Sequence, residues 1–408
     1  MDRVSYLTIK KMNHTTFSRK KFLNRSFQIG VLISLAPLGK SLLAFSREDS
    51  EFYRNDPLAF ADSIGITSNI QKIILSAMLA PNSHNTQPWK VKIESDTSFL
   101  LYGDTDRRLP PIDPINRQFY HSQGTFLELA RLAADSMMFD AKITLFPSGI
   151  PIENQMIMKP VAKFVISPKD KCVHDFLFLS VPKRQMNRSI YSGEFISEDE
   201  VINLKKLTFA SFVDLKFVLK EENIKNYTDI LHQAFVTETN IKAANEVSRV
   251  WFRTDTNDIF SKRDGITLEG NGLSGLKLWL VKKFFIDLSP EGWHSETSKK
   301  GGNDIAKAQI DSTKGLVFFV TEGKDTAVEW IKTGMDFMRF TLAVANENLA
   351  FHTMNQALED YPESNVYHNI LRDKLGLSKK SRIQLMGRIG RSDFSFASPR
   401  RDIKEILI

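Results

Sequence analysis

Apolar residues recur at helical spacing immediately before an unusually polar stretch of the chain. Side chains three and four residues apart share one face of a helix, so this spacing predicts a helix with one buried face. Proline disfavours helical backbone in the residue before it, and we therefore expect the helix to end at Pro81. The apolar positions are Ile70, Ile73, Ile74, Ala77 and Met78.

A strand is predicted directly after the polar stretch, because Trp89, Val91 and Ile93 alternate with two lysines. The segment from Ala80 to Trp89 is therefore a helix-to-strand loop that is rich in small and amide side chains. Such a loop can present backbone N–H groups and polar side chains to a flat polar ligand. The alternative is a polar turn whose Asn and Ser side chains bond to their own backbone. The side chains in question are Ser83, Asn85 and Gln87.

The same pattern predicts further elements in the first half of the chain. Strands are expected at 99–102, 143–146 and 162–166, and the proline-rich segment 107–114 is expected to be a loop. A helix lies between them, and its apolar face is formed by Phe126, Leu129, Ala130, Ala133 and Met137.

A second half begins near Val181. Ser197 and Glu200 form a capping-box pattern that predicts the start of a helix. Further predicted elements are a strand at 212–219, a helix around 224–247, a strand at 316–320 and a helix from about residue 326.

A faint internal repeat links the two halves. Gly124 is followed at the same offset by an apolar pair, Leu132 and Ala133, as Gly334 is by Leu342 and Ala343. A fused duplication would give a molecule with internal two-fold pseudosymmetry. The pattern is short, so chance coincidence is the alternative.

The net charge of +7 comes from the N-terminal leader. Residues 1–47 hold nine Lys or Arg and one acidic residue, which leaves 46 basic and 47 acidic residues in the rest of the chain. The body is therefore nearly neutral, and nucleic-acid binding is not the default expectation. No membrane-spanning stretch is expected after the leader.

The leader has the features of an export signal. The segment Ser18 to Leu23 is basic and precedes a short apolar run from Ile29 to Leu38. It resembles the twin-arginine signal Ser-Arg-Arg-x-Phe-Leu, with Lys20 in place of the second Arg. We therefore expect export to the periplasm. A basic tail on a cytoplasmic protein is the alternative.

Several kinds of chemistry are not indicated. Cys172 is the only cysteine, so an intramolecular disulfide or a thiolate metal cluster is impossible. No His, Asp or Glu spacing suggests a metal site, and no Gly-x-Ser-x-Gly suggests a hydrolase. No Gly-x-Gly-x-x-Gly follows a strand, so a Rossmann domain is not expected either.

Two arginine-rich clusters are candidate phosphate sites, because a guanidinium group binds phosphate at two points. The first precedes the Ser197 helix and the second lies near the C-terminus. A basic run alone is more often a solvated face. The clusters are Lys183, Arg184 and Arg188, and Arg388, Arg391, Arg400 and Arg401.

The loop from Pro81 to Trp89 resembles the Pro-Ser-Ser-x-Asn-x-Gln-Pro-Trp loop of the FMN-dependent nitroreductase superfamily, with Asn82 where Ser is common. More narrowly, the chain resembles the exported, double-length Acg-like members. The resemblance implies an α+β nitroreductase-like fold whose two fused halves form a pseudo-dimer. The expected divisions are a leader at 1–47, a first half at 48–178 and a second half at 179–408.

The resemblance also implies a cofactor and its ligands. One FMN per chain is expected, with the loop against the flavin ring and the arginine clusters on the phosphate. The flavin carries the electron chemistry, so no catalytic side chain is required, although His84 could donate a proton. The implied FMN-binding residues are Pro81, Asn82, Ser83, Asn85, Gln87, Arg184, Asn187, Arg188, Asn355, Gln356, Arg400 and Arg401.

The expected function is electron transfer, with NAD(P)H as donor and a nitroaromatic, a quinone or a related small molecule as acceptor. Residues 264–312 mix glycines with apolar residues and are expected to form a lid with a short apolar helix over the flavin. A helix docked permanently on the surface is the alternative. The lid motivates a second function, a flavin-sequestering protein with little turnover. The molecule is expected to be a monomer with internal pseudosymmetry or a homodimer.

Overall fold

The computed structural model describes residues 45–151, 156, 158–170, 175–323 and 325–408. The leader up to residue 44 and Cys172 lie outside the described residues, so the export signal stays a prediction. Ser46, which the sequence places at the end of the leader, caps the first helix through a capping box with Asp49. None of the helices in the described part of the chain is long and apolar enough to cross a membrane.

A four-stranded antiparallel sheet forms the first half, in the order β1-β2-β4-β3. The strands alternate between buried and exposed residues, as the period-two pattern predicts for a sheet with one covered face. The three predicted strands and the one after Gln87 are confirmed. The bounds are β1 Trp89–Ser95, β2 Ser98–Gly103, β3 Phe139–Leu145 and β4 Ala162–Pro168.

The helices of the first half cover this sheet and lead into the loop at Pro81. The helix predicted before Pro81 is confirmed, and its apolar positions are all buried. The bounds are α1 Arg47–Asn55, α2 Pro57–Ser63, α3 Asn69–Ala77 and α4 Arg117–Ser136.

The middle of the chain is mostly helical. The capping box at Ser197 is confirmed, since the Ser197 hydroxyl accepts the Glu200 N–H and the Glu200 carboxylate accepts the Ser197 N–H. The single helix predicted over 224–247 is wrong, because Ile241 is extended and divides it into two. The bounds are α5 Glu198–Thr208, β5 Asp214–Val218, α6 Glu221–Asn240, α7 Lys242–Val250, β6 Phe252–Arg253 and α8 Thr256–Lys262.

The segment 264–312 contains the predicted short apolar helix, followed by a single π-helical turn at Val281–Phe285. It also contains a 16-residue helix that the sequence pattern does not predict. The bounds are β7 Ile266–Thr267, α9 Gly275–Leu280, α10 Pro290–Trp293 and α11 Glu296–Asp311.

A second four-stranded antiparallel sheet, in the order β5-β8-β10-β9, forms the core of the second half. Strands β9 and β10 are not predicted from the sequence pattern. The bounds are β8 Gly315–Glu322, α12 Ala327–Asn346, β9 Ala350–Thr353, α13 Asn365–Lys374, β10 Ser381–Gly390 and α14 Ile403–Ile406.

The two long helices α4 and α12 cross at the glycines of the sequence repeat. A Cβ atom added to Gly124 would lie 2.0 Å from the carbonyl oxygen of Ile331, and one added to Gly334 would lie 2.1 Å from that of His121. No real Cβ atom makes such a contact, so glycine at both positions permits the close approach of the backbones.

The C-terminal segment leaves the second sheet and lies along the first half. The Arg401 N–H donates to the Gln87 Oε1 at 2.9 Å, and the Ile408 N–H donates to the Val91 carbonyl oxygen at 3.0 Å. This return places the C-terminal arginines beside the loop at Pro81.

Candidate functional site

The loop between α3 and β1 is held in a conformation that few side chains adopt. His84, Asn85 and Gln87 all have φ between +50° and +53°. A left-handed backbone costs a non-glycine residue on the order of 1 kcal/mol or more, and it persists only where the surroundings enforce it. Three such residues among four indicate a loop whose shape is imposed by its contacts.

Those contacts are hydrogen bonds between amide side chains and the backbone. The Gln87 N–H donates to Asn82 Oδ1 at 2.8 Å, and the Asn82 Nδ2 donates to the Ala80 carbonyl oxygen at 3.1 Å. The Gln87 Nε2 donates to the Arg263 carbonyl oxygen at 2.8 Å. The loop is therefore fixed from both halves of the chain.

Beside the loop, four arginines line a cavity of about 80 Å³. They come from distant parts of the sequence: α1, the segment before α5 and the C-terminal segment. No Asp or Glu is among the described residues that line this cavity. The arginines are Arg54, Arg184, Arg188 and Arg400.

Burial lowers the pKa of each of these arginines. Burial lowers the pKa of Arg184 to about 9, and the charges of Arg400 and Arg54 add to the effect. Burial likewise lowers the pKa of Arg188 to about 10 and that of Arg400 to about 10. All of them are still cations at neutral pH, so the cavity wall carries several positive charges without a lining carboxylate.

The carbonyl groups at the end of α3 orient two of these arginines. Arg400 Nε donates to the Met78 carbonyl oxygen at 2.8 Å, and Arg184 Nη2 donates to that of Leu79 at 3.1 Å. The C-terminal end of a helix favours cations. Arg184 Nη1 and Arg54 Nε are buried, and no described residue accepts a hydrogen bond from either. These unused donors and uncompensated charges fit a multiply charged anion such as a phosphate dianion.

A larger cavity of about 540 Å³ adjoins the arginine cavity. This volume is within the ~300–1,000 Å³ typical of small-molecule sites. The two cavities have five lining residues in common, so the charged pocket opens into the larger space. The shared residues are Pro81, Asn82, Met186, Arg188 and Ile266.

Much of the wall of the large cavity is supplied by the segment 264–312. Its contribution includes both apolar and polar side chains. The apolar residues are Ile266, Leu268, Leu273, Val281, Ile286, Trp293, Ile305 and Ala306. The segment that is expected from the sequence to form a lid therefore lines the large cavity.

The structure brings nine of the twelve predicted FMN-binding residues, together with His84, to these two cavities. Pro81, Asn82 and Arg188 line both cavities. The other six divide between them: Ser83, Asn355 and Gln356 line the large cavity, as does His84, and Asn85, Arg184 and Arg400 line the small one.

Gln87, Asn187 and Arg401 are not brought to either cavity, because their polar groups are taken by other partners. Arg401 lies against Glu405 at 3.1 Å and Asp104 at 3.4 Å. The Asn187 Nδ2 donates to the Phe394 carbonyl oxygen at 3.2 Å. Gln87 and Arg401 connect the loop to the C-terminal segment. Asn187 connects the segment before α5 to the same C-terminal segment.

His84 lies in the wall of the large cavity, 3.3 Å from the Ser248 hydroxyl through its Nε2. Burial lowers the pKa of His84 to about 4, and the Arg188 charge adds to the effect. His84 is therefore neutral at neutral pH. It can exchange a hydrogen bond with a ligand, but it does not store a proton as an imidazolium.

The sequence pattern does not single out Arg54, which lies between the leader and the first predicted helix. The capping box at Ser46 and Asp49 is the signal that predicts a helix there. Glu238 is not singled out either, although it follows Leu231 and Ala234 on the buried face of α6. A carboxylate in a helical apolar stripe is a visible signal of a buried polar group.

Comparison with known proteins gives two sets of similarities, and no protein-family model matches the chain. In sequence, the chain is 26% identical over 136 residues to "Putative NAD(P)H nitroreductase" of Mycobacterium tuberculosis. The match covers 33% of this chain and 38% of that protein, so the chain spans well under half the length of this curated relative. An uncharacterized protein of the same organism is 35% identical over 81 residues, 19% of this chain and 24% of that protein. Over these stretches the chain is similar to nitroreductase-like proteins.

Solved structures of nitroreductases also match, at low similarity. The FMN and NADPH-dependent nitroreductase NfnB from Sphigopyxis sp. strain HMH is 13% identical, with 57% of this chain and 97% of that chain covered and a TM-score of 0.39. The FMN-dependent nitroreductase NfnB from Mycobacterium smegmatis, in complex with NADPH, is 14% identical, with 54% and 92% covered and a TM-score of 0.33. These TM-scores are too low to carry an argument about this chain.

Proposed function

We propose that this chain binds one FMN and acts as an oxidoreductase of the nitroreductase type. The observation that carries the proposal is a group of four arginines, two buried and two half-buried, beside a ligand-sized cavity. No Asp or Glu among the described residues lines the arginine pocket. Such a group suits the phosphate dianion of a flavin mononucleotide. Arg54, Arg184, Arg188 and Arg400 would hold that phosphate.

The adjoining large cavity would hold the flavin ring. Asn82, Ser83 and Asn355 offer polar side chains in its wall, and Pro81 contributes an apolar surface. Bound FMN would accept electrons from NAD(P)H and pass them to a nitroaromatic, quinone or similar acceptor. The residues of this chain would orient the ring, exclude water and leave space for the second substrate. The sequence similarity to an NAD(P)H nitroreductase supports the choice of donor.

The chain is proposed to be an Acg-like fused pair of nitroreductase halves. Two four-stranded antiparallel sheets and two long helices that cross at Gly124 and Gly334 support this interpretation. The halves supply different parts of the site: the first gives the loop at Pro81, and the second gives Arg188 and Arg400. One FMN per chain follows from this division.

Comparison of FMN with riboflavin tests the phosphate site, because riboflavin has the same ring and no phosphate. We expect the full chain to bind FMN at least 100-fold more tightly than riboflavin, measured by flavin fluorescence quenching. Hydrogen bonds to charged groups contribute about 1.5–3 kcal/mol each, so two or three suffice for this ratio. Equal affinities would refute the assignment of the arginines.

A second candidate function is flavin sequestration. Its supporting observation is the wall that residues 264–312 place over the large cavity. If the segment stays closed, NAD(P)H has no access and the bound flavin turns over slowly. Stopped-flow reduction of the FMN-loaded protein by NADPH separates the two functions. Fast bleaching followed by reoxidation with a quinone or nitroaromatic supports the enzyme, and persistent flavin absorbance supports sequestration.

A further inference from the structure

Two glutamates meet in the wall of the large cavity, away from the arginine pocket. Glu238 lies near the end of α6, and Glu359 follows the short 3-10 helix Asn355–Leu358. Both side chains are at least nine-tenths buried and both line the cavity. Their carboxyl groups are hydrogen-bonded to each other, and no described residue donates to the Oε2 atom of either. Two buried carboxyl groups in contact must therefore share a proton.

Burial raises the pKa of Glu238 to about 7. Burial and the adjacent Glu238 together raise the pKa of Glu359 well above its usual range. Below pH 7 the carboxyl pair is thus neutral, and above pH 7 it carries one negative charge.

The charged and titratable groups around the pair leave that negative charge unbalanced. Asp113, whose pKa burial raises to about 6, adds negative charge. Burial raises the pKa of Tyr361, so its phenol is neutral. Arg117 is the nearby cation, but its guanidinium is taken up by Asp360 and by the carbonyl oxygens of Leu358 and Gln384. The further neighbours of Tyr361, Glu363 and Tyr367, add no positive charge.

Other polar groups of the same cavity are also left without partners. His121 is 4% exposed and lines the cavity, and neither of its ring nitrogens has a hydrogen-bond partner among the described residues. Gln118 is 7% exposed, also lines the cavity, and has an unpartnered Nε2. Burial lowers the pKa of His121 well below its usual value, so it is neutral. Buried polar groups are rarely left unsatisfied, and several in one cavity point to a polar ligand.

Charged groups of both signs therefore line the cavity. Arg188 also lines the arginine pocket, and the carboxyl pair does not. Lys299 and Asp287 are further charged residues of the lining, and Lys299 pairs with Glu296 at 3.1 Å. No third His, Cys, Asp or Glu among the described residues joins the carboxyl pair in a group that could hold a metal ion.

We propose that the Glu238–Glu359 pair is a subsite for a positively charged nitrogen, and that the acceptor of this protein is an amine-bearing aromatic molecule. A protonated amine supplies hydrogen-bond donors to the free carboxyl oxygens and balances the single negative charge. His121 and Gln118 offer neutral hydrogen-bonding groups to the rest of the ligand. A carboxylate-bearing molecule is disfavoured by like-charge repulsion.

This proposal rests on the proposed function only in naming the ligand an acceptor, because the binding itself requires no flavin. The test is titration calorimetry of the full chain, with and without FMN, against three probes of similar shape: 4-nitrobenzylamine, 4-nitrobenzyl alcohol and 4-nitrobenzoate. We expect the amine to bind at least tenfold more tightly than the alcohol at pH 8, and the benzoate to bind most weakly. Equal affinities would overturn the proposal.

Substitutions of the two glutamates test whether the carboxyl pair causes the preference for the amine. Glu238→Gln and Glu359→Gln should each remove most of the amine preference and leave the affinity for the alcohol within twofold. Glu222→Gln is the matched control, because Glu222 is exposed on the same helix as Glu238. A preference that survives both substitutions contradicts the assignment.

The pH profile of the wild-type chain gives a second measurement that needs no variant. The affinity for the amine should increase at least fivefold between pH 6 and pH 8, as the pair gains its negative charge, while that for the alcohol stays constant. A flat amine profile refutes the proposal. A protein that binds the amine selectively but takes up no FMN would refute the proposed function and leave this subsite standing.

Discussion

Of the arginines that line the small cavity, Arg188 is the one whose substitution we expect to destabilise the folded protein least. No hydrogen bond from its guanidinium to another described residue is present, and Arg388 repels it. We therefore expect its positive charge to stabilise a bound anionic ligand and not the ligand-free protein. Residues placed in this way improve binding and reduce the stability of the ligand-free protein.

We expect Arg188→Gln to weaken FMN binding by about 10- to 100-fold, the value of one hydrogen bond between charged groups. The melting temperature of the ligand-free protein should stay the same or rise, because a buried cation is removed. Fluorescence titration and thermal denaturation measure the two effects. Arg47→Gln, which changes an exposed arginine of α1, is the control and should alter neither quantity. A loss of ligand-free stability would show that Arg188 has a structural partner.

Glu238 makes the stability of the folded protein depend on pH. Its folded-state pKa of about 7 lies above its ordinary value of 4.5, so the folded protein loses stability as the pH rises from about 4.5 through 7. Glu238→Gln should therefore stabilise the protein by about 1–3 kcal/mol at pH 8 and have little effect at pH 4.5. Urea denaturation at the two pH values measures this. The same gain at both values would mean that the pKa of Glu238 is the same in the folded and the unfolded chain.

The long-range contacts of single residues cannot be predicted from the sequence. Arg184 and Arg400 belong to two separate arginine clusters of the sequence, and in the structure both side chains lie beside the loop at Pro81. Gln87 and Arg401 have the right residue types, but they bond to each other across 314 positions. Such long-range partners decide whether a polar group faces a ligand or the protein, and they leave no local pattern.

At the scale of elements, the crossing of α4 and α12 depends on two glycines. Gly334→Ala would place a carbon atom 2.1 Å from the His121 carbonyl oxygen, and we expect a loss of about 2–3 kcal/mol or more. Gly301→Ala in α11 is the matched control, because no atom lies within 4 Å of the added carbon. That change should stabilise the protein by about 0.5–1 kcal/mol, since alanine favours helix. Denaturant unfolding of both variants measures the two changes in the free energy of unfolding. Equal changes would contradict the close crossing of α4 and α12.

Elements with one exposed face are predictable from the chain, and so is the buried strand β8, because its residues form a continuous apolar run. Strand β1 alternates buried and exposed residues and is found by its period. Strand β10 is buried at nearly every position and carries Arg382, Gln384 and Arg388, so it has neither alternation nor an apolar run. Helix α11 contains Gly301 and Gly302, which lower its intrinsic helix propensity.

At the scale of the whole molecule, the site exists only because distant segments meet. The arginine pocket combines α1, the segment before α5 and the C-terminal segment, which returns from the second sheet to the loop of the first half. The sequence repeat at Gly124 and Gly334 marks the place where α4 and α12 cross. It does not predict that residues 264–312 line the large cavity, because that depends on long-range packing.

We propose that this assembled site holds a flavin. The most direct test is the visible absorption spectrum of the protein, purified without its leader, after gel filtration. We predict flavin bands that elute with the protein at one FMN per chain. A colourless protein that also fails to take up added FMN would contradict the assignment of the arginine pocket and the large cavity together.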